Sequence, residues 1–283
     1  MARCWSAHAP SARRCWIAAS PPERPLAILS GNDLEHLQLA LGAMWAGVPY
    51  APVSPPYALV STDFGKLRHV FDVLTPGLVY AADGAAFANA ISAVVPHGVE
   101  VITRDGVLPG RSATAFDTLL HTPVTTADAA QAATGPDTLV KVLFTSGSTR
   151  APKAVPTTHR MLCSNQQMLR QTIPEFAKEP PVLVDWLPWN HTFGGSHNVG
   201  IVLYNGARFT SMMAVPCPAN STKPCATCTR SHPPRTSRAQ GGGRTRAGAG
   251  TGPALRETFF SRVKLYFFGG AGLSQEAWDR LEA

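Results

Sequence analysis

The amino-acid sequence predicts an α/β fold built around a parallel sheet. Short apolar runs typical of buried strands alternate with stretches of helical periodicity from Pro25 onward. The first strand, helix and strand fit within about 30 residues, the length of a βαβ unit with parallel strands. Hydrophobic residues make up 45% of the 283 residues, which excludes disorder as a description of the whole chain. No apolar run approaches the ~18 residues of a spanning helix, so we expect no membrane partner.

The first βαβ unit is the clearest part of this pattern. Leu26–Leu29 is an apolar run typical of a buried strand, and Val48–Val53 is a second extended run. Between them, leucines at helical spacing predict a helix that ends at Gly47. Asn32 stands three residues before Glu35, the spacing of a helix-capping pair, so we predict that Asn32 caps this helix.

The alternation of helices and strands continues along most of the chain. Helices are predicted over Val70–Leu74, Ala86–Val95, His159–Thr172 and Ser196–Tyr204, and strands over Leu78–Ala82, Val99–Thr103, Leu139–Phe144, Val182–Leu187, Arg208–Thr210 and Val263–Phe268. Residues 104–137 are a looser stretch rich in threonine, alanine and glycine. Ser274 is placed to cap a last helix.

Two segments, residues 1–24 and 211–254, depart from this pattern. Residues 211–254 hold six basic residues, no acidic residue and a single branched aliphatic residue, Val215. The two segments carry more than the whole formal net charge of +7 and five of the six cysteines. The basic composition therefore does not indicate a nucleic-acid partner for the rest of the chain. One remaining cysteine, Cys163, fits a reducing compartment and a cytoplasmic location.

We expect both segments to be disordered and interpret them as out-of-frame translations. Arginine, proline, alanine and glycine are the residues that a GC-rich coding sequence gives in a wrong frame. Two alternatives remain open. The acid-poor residues 1–24 loosely resemble a transit peptide. Cys217, Cys225, Cys228 and His232 are possible zinc ligands next to arginines that would suit phosphates, although their spacing matches no common zinc module.

A hydroxyl-rich loop follows the predicted strand Leu139–Phe144. It comprises Thr145, Ser146, Gly147, Ser148, Thr149, Arg150, Ala151, Pro152 and Lys153. Small hydroxyl residues offer backbone N–H and side-chain O–H donors to phosphate oxygens. Gly147 permits close approach, and Lys153 adds a positive charge. The Gly-Lys-Ser/Thr ending of a Walker loop is absent, and a polar surface turn is the alternative interpretation.

Two further stretches are candidates for a ligand site. His191 stands between Trp189 and Phe193, after a predicted strand, where α/β sheets bind ligands. A core histidine with a satisfied hydrogen bond is the alternative. Four small residues, Gly269, Gly270, Ala271 and Gly272, form a tight loop after the last predicted strand, which alone is weak support for a site.

Three stretches, Phe144–Lys153, His159–Met168 and Asp185–Gly195, resemble the acyl-adenylate-forming (AMP-binding) superfamily. Within that superfamily they look most like feruloyl-CoA synthases. The resemblance covers residues 22–210 and 255–283. It implies the parallel-sheet N-terminal domain of these enzymes, in part over 25–210 and continued over 255–283. It also implies an incomplete chain, which we expect to be an inactive fragment, because the magnesium motif, the ribose-binding aspartate and the C-terminal lysine domain of the family are missing.

The resemblance also implies roles for individual residues. Thr145, Ser146, Gly147, Ser148, Thr149 and Lys153 would hold the β- and γ-phosphates of ATP, His191 would act catalytically at the junction of acid and adenylate, and Gly269, Gly270, Ala271 and Gly272 would contact adenine. A carboxylate would attack the α-phosphate of Mg²⁺-ATP to give acyl-AMP, and the thiol of coenzyme A would then displace AMP. The expected acid is an aromatic hydroxycinnamate, with fatty or other aryl acids as alternatives. A nucleotide-binding remnant without chemistry also remains open, and no Mg²⁺ ligand is identified.

Arg150 is the one departure within the hydroxyl-rich loop, because the family has glycine there. Arginine adds bulk at a turn that suits a positive φ. We therefore expect Arg150→Gly to tighten ATP binding, measured by calorimetry. An unchanged affinity would contradict this.

Overall fold

The computed structural model describes residues 23–120, 127–145, 151–185, 187–211, 261, 263–265, 275 and 279. The chain divides into two compact units. The first unit comprises Met1–Asn165 with Pro188–Ser196, and the second comprises Gln166–Leu187 with His197–Ala283. Apart from residues 23, 24 and 211, the two segments interpreted as out of frame lie outside the described residues.

The first unit contains seven strands and most of the helices described. Its strands are β1 (Leu26–Leu29), β2 (Tyr50–Pro52), β3 (Leu78–Asp83), β4 (Glu100–Asp105), β5 (Thr114–Ala115), β6 (Leu139–Phe144) and β7 (Ala154–Thr158). Its helices are α1 (Leu34–Ala46), α2 (Pro56–Leu59), α3 (Gly65–Leu74), α4 (Gly84–Val94), α5 (Phe116–Leu120) and α6 (Ala127–Ala132). Helix α7 (His159–Thr172) begins in the first unit and ends in the second.

The seven strands form one sheet in the order β5-β4-β3-β1-β2-β6-β7. Every neighbouring pair is parallel except β6 with β7, which is antiparallel. The predicted α/β fold with a mainly parallel sheet is therefore confirmed. Strand β7 was not predicted, because Pro156 and the polar threonines around it give no apolar run. Its edge position explains why proline is tolerated there.

Strand β1 is buried on both faces of the sheet. Ala27 and Leu29 belong to one hydrophobic cluster, and Leu26 and Ile28 belong to another. All four residues are at most 1% exposed. A strand covered on both faces is typical of the centre of a parallel sheet, and it explains the continuous apolar run that predicted the strand.

Helix α1 begins at a different cap from the one predicted. The carboxylate of Asp33, rather than the amide of Asn32, accepts a hydrogen bond from the backbone N–H of His36 at 2.7 Å. The two neighbouring side chains both suit an N-cap, and their spacing does not distinguish them. Gly47 ends the helix with a φ of 69°, as predicted.

The second unit contains a two-stranded parallel sheet. Its elements are α8 (Glu175–Lys178), β8 (Val182–Asp185), a π-helical turn at Phe193–Asn198 that begins in the first unit, α9 (Val199–Asn205) and β9 (Arg208–Ser211). Phe176, Leu183 and Ile201 form its buried cluster. The helix predicted from Ser196 thus starts as a π-helical turn.

Further predictions need correction or completion. The strand predicted over Val182–Leu187 ends at Asp185, and Leu187 is not in a strand. Residues 104–137 hold β5, α5 and α6 in addition to loop. The described part of the strand predicted over Val263–Phe268, residues 263–265, is not in a strand. Gln275 and Asp279 are helical, in agreement with a last helix. No helix in the described ranges combines the length and apolar character needed to cross a membrane.

Candidate functional site

The hydroxyl-rich loop connects strands β6 and β7, which pair antiparallel. The backbone N–H of Thr145 donates to the carbonyl of Lys153 at 3.1 Å, and the N–H of Lys153 donates to Oγ1 of Thr145 at 3.0 Å. These two predicted site residues therefore lie together at the mouth of the loop. Since Oγ1 accepts that bond, the hydroxyl hydrogen of Thr145 remains as a donor. Ser146, Gly147, Ser148, Thr149 and Arg150 lie outside the described residues.

A side chain of helix α3 forms a hydrogen bond to the C-terminal end of this loop. Nε2 of His69 lies 2.9 Å from the carbonyl oxygen of Pro152. A carbonyl only accepts, so Nε2 carries the hydrogen. The two residues are 83 positions apart, and no sequence pattern pointed to this contact. His69 thereby fixes the main chain next to Lys153.

His191 is exposed in the first unit. Its Nδ1 accepts a hydrogen bond from the backbone N–H of Phe193 at 3.3 Å. The neutral ring therefore carries its hydrogen on Nε2. An imidazole held in this form offers a donor to an oxyanion such as a carboxylate. The alternative interpretation of His191 as a buried core residue is wrong.

The segment Pro188–Ser196, named here the His191 turn, is held at both ends. The backbone N–H of Trp189 donates to the side-chain oxygen of Asn32 at 3.0 Å. The carbonyl of Gly195 accepts from Nζ of Lys141 at 2.8 Å. Inside the turn, the N–H of Gly195 donates to the carbonyl of His191 at 2.8 Å.

Lys141 is a buried lysine on strand β6. Its side chain is 1% exposed, and Nζ lies 5.8 Å from the centre of the Tyr50 ring. Burial lowers the pKa of Lys141 to about 7. The ion pairs found in the described part of the chain do not include Lys141. Sequence analysis missed this residue, although a lysine inside an apolar strand is itself an indication of a special role.

His36 packs against the other end of the His191 turn. Its ring meets that of Trp189 edge-on, with 5.2 Å between centroids. Nδ1 donates to the carbonyl of Gly31 at 2.9 Å and lies 3.0 Å from the hydroxyl of Ser30. Burial, helped by the charge of Lys141, lowers the pKa of His36 to about 4. The ring is therefore neutral at neutral pH.

Gly195 is packed too closely for any side chain. A Cβ added there would lie 2.9 Å from the carbonyl carbon of Trp189 and would overlap its oxygen. Glycine at this position allows the turn to fold back on itself. Gly195 ends the stretch Asp185–Gly195 that carries part of the resemblance, but the sequence alone did not explain why glycine stands there.

Several predicted residues are not placed. Gly269, Gly270, Ala271 and Gly272, and the proposed zinc ligands Cys217, Cys225, Cys228 and His232, lie outside the described residues. Within the described residues, no group of three or more histidine, cysteine, aspartate or glutamate side chains is arranged to hold a metal ion.

Residues 20–283 match the family of AMP-binding enzymes. The chain is 26% identical over 192 residues to a 4-hydroxyphenylalkanoate adenylyltransferase of Mycobacterium tuberculosis, covering 65% of this chain and 28% of that protein. It is 27% identical over 206 residues to a 3-[(3aS,4S,7aS)-7a-methyl-1,5-dioxo-octahydro-1H-inden-4-yl]propanoyl:CoA ligase of Rhodococcus jostii, covering 70% of this chain and 39% of that protein. The chain thus spans well under half the length of these relatives.

Solved structures show the same fold. ATP-bound MatB from Rhodopseudomonas palustris superposes with a TM-score of 0.71 at 20% identity, over 97% of this chain and 50% of that one. The N-terminal domain of FACL13 from Mycobacterium tuberculosis gives 0.71 at 19% identity, over 98% and 65%. The specific resemblance to feruloyl-CoA synthases stays a prediction. The superfamily resemblance is confirmed, and the chain belongs to the family of AMP-binding enzymes.

Proposed function

We propose that this chain supplies the ATP- and acid-binding part of an acid–CoA ligase that works through acyl-AMP. One observation carries the proposal. Strand β6 ends in the loop closed by Thr145 and Lys153, and the same strand holds the His191 turn through Lys141. The loop proposed to bind the phosphates and the histidine proposed to donate to the acid are thus attached to the same strand, which supports a reaction between a nucleotide and a carboxylate.

In the proposed reaction, a carboxylate oxygen attacks the α-phosphorus of ATP. The bond to pyrophosphate breaks, and acyl-AMP forms. The N–H and hydroxyl donors of the hydroxyl-rich loop, with Lys153, would hold the phosphates that leave. The hydrogen on Nε2 of His191 would orient the acid. The thiol of coenzyme A would then attack the acyl carbon, form the thioester and release AMP.

The superfamily resemblance implies Mg²⁺ together with ATP. The described residues contain no cluster of metal-binding side chains. We therefore assign no protein ligand to this ion and derive no step through it. The glycines and alanine at 269–272 are proposed to contact adenine on the resemblance alone.

We propose an aromatic hydroxycinnamate as the acid. The support is the likeness of Asp185–Gly195 to feruloyl-CoA synthases and the relative named for 4-hydroxyphenylalkanoates. A relative from Teredinibacter turnerae, named a medium-chain-fatty-acid–[acyl-carrier-protein] ligase, matches 71 residues at 39% identity, which favours a fatty acid as the second candidate.

Acid-dependent exchange of labelled pyrophosphate into ATP, by an intact enzyme that carries this sequence, tests this proposal. Ferulate, 4-hydroxyphenylpropanoate and decanoate are compared at equal concentration, with and without coenzyme A. Exchange with ferulate above that with decanoate is expected. Exchange with decanoate alone would move the assignment to fatty acids. Binding of ATP in calorimetry without exchange for any acid would identify a nucleotide binder without chemistry.

In an intact enzyme that carries this sequence, His191→Ala is expected to lower the rate of acid-dependent exchange by about 100-fold, because it removes an oxyanion donor. Pyrophosphate exchange at saturating ATP measures the effect. His97→Ala is the matched control, because His97 is also exposed and belongs to no proposed site. Normal turnover in the His191 variant would refute its role.

A further inference from the structure

We propose that Lys141 is the positioning residue for His191. It anchors the C-terminal end of the His191 turn and so sets where the imidazole meets the acid. The anchoring itself stands on the structure alone, and only its consequence for the acid rests on the proposed function.

The hydrogen bonds run in series from Lys141 to His191. Nζ of Lys141 donates to the carbonyl of Gly195 at 2.8 Å. The N–H of the same glycine donates to the carbonyl of His191 at 2.8 Å. Gly195 has no side chain, so its position depends on these main-chain bonds and on its close packing against Trp189. Without Lys141, the glycine that fixes the main chain of His191 loses its own anchor.

The location of Lys141 is unfavourable for stability. Lys141 is 1% exposed, and no ion pair of the described residues includes it. Besides the carbonyl of Gly195, its recorded partner is the face of Tyr50. An apolar side chain of similar volume at a buried charged position is often neutral or stabilising. Stability alone therefore does not require a lysine at this position, and a role in positioning His191 explains why it is there.

Because Lys141 lies on β6, its hydrogen bond to Gly195 also connects the His191 turn to the strand that precedes the hydroxyl-rich loop. Thr145, at the mouth of the hydroxyl-rich loop, follows the end of the same strand. The main chain of a paired strand is rigid, so Lys141 relates the His191 turn to that loop through a fixed length of backbone. We expect its loss to disturb the acid more than ATP, because the loop is closed by its own bonds between Thr145 and Lys153.

Lys141→Met tests the anchoring by amide hydrogen exchange at pH 7. The amides of His191 and Gly195 are expected to exchange about tenfold faster or more than in the unaltered protein. The thermal midpoint is expected to be equal to or above that of the unaltered protein. Val140→Ala, which shortens the buried neighbour on the same strand, is the matched control. It is expected to lower the midpoint without selective exchange in the His191 turn.

Unchanged exchange of these two amides in Lys141→Met, or an equal increase over the whole sheet, would overturn the proposal. The effect on the acid is measured by pyrophosphate exchange in an intact enzyme that carries this sequence, with and without Lys141→Met. The KM for ferulate is expected to rise by about tenfold or more, with the KM for ATP little changed. If Lys141→Met has the same KM for ferulate and the same KM for ATP as the unaltered protein, the proposed effect on the acid is overturned. No exchange by an intact enzyme that carries the unaltered sequence would overturn the proposed function instead, while the amide measurement on this chain still decides the anchoring.

Discussion

Gly195→Ala is expected to lower the free energy of unfolding by about 3 kcal/mol, the upper part of the usual range for overpacking. The new methyl group would overlap the carbonyl of Trp189. A backbone atom of the same turn cannot rotate away as a flexible side chain does, so the turn itself has to open. The bonds from Gly195 to Lys141 and His191 would be strained together. Denaturant unfolding with a common slope measures the change.

Gly98→Ala is the matched control for this substitution. A Cβ at Gly98 meets no atom within 4 Å, and its φ is not positive. Its free energy of unfolding is expected to be unchanged or to rise by about 0.4–1 kcal/mol, since alanine restricts the unfolded chain. Equal losses in the two variants would show that the His191 turn tolerates a side chain, against the packing described above.

Stability is expected to fall by about 3 kcal/mol between neutral pH and pH 4 through His36 alone. Burial lowers the pKa of His36 from 6.5 in the unfolded chain to about 4 in the folded protein. Between these two values the unfolded chain binds the proton and the folded protein does not. Acidification therefore favours unfolding across this window, and the effect is complete once the pH is below both values.

His36→Gln removes this titration. Unfolding free energies at pH 7, 5 and 4 are expected to depend less steeply on pH in the variant than in the unaltered protein. Asp33, whose pKa is raised by burial, contributes in the opposite direction, because its neutral form is favoured in the fold. It is present in both proteins, so the difference between them isolates His36. His97→Gln, at an exposed position, is expected to leave the pH dependence unaltered.

The helices and strands that were predicted most accurately are those whose sequence has an unbroken local pattern. β1 and α7 have the predicted bounds, because apolar runs and helical spacing are properties of neighbouring residues. β7 gave no such pattern, since its residues are threonine, proline and small apolar residues at a sheet edge. The described ends of the hydroxyl-rich loop follow a strand as predicted, but the pairing of that strand with β7 was not predicted.

The contacts that build the candidate site could not be predicted in the same way. The bond from Lys141 joins residues 54 positions apart, the bond from His69 joins residues 83 apart, and that to Asn32 joins residues 157 apart. A periodic pattern carries no information about such pairs. Asn32 is the clearest example. Its spacing from Glu35 suggested a helix cap, but its side-chain oxygen accepts the long-range hydrogen bond from the N–H of Trp189.

The antiparallel pairing of β6 with β7 also bears on how the protein folds. Among the described strands of the large sheet, every other pairing is parallel and needs a crossover to bring distant parts of the chain together. The hairpin needs only the closure of the short loop between its strands, which is a fast and local event. The mouth of the hydroxyl-rich loop is thus formed by the contacts of lowest sequence separation in the sheet. Its assembly does not have to await the parallel core.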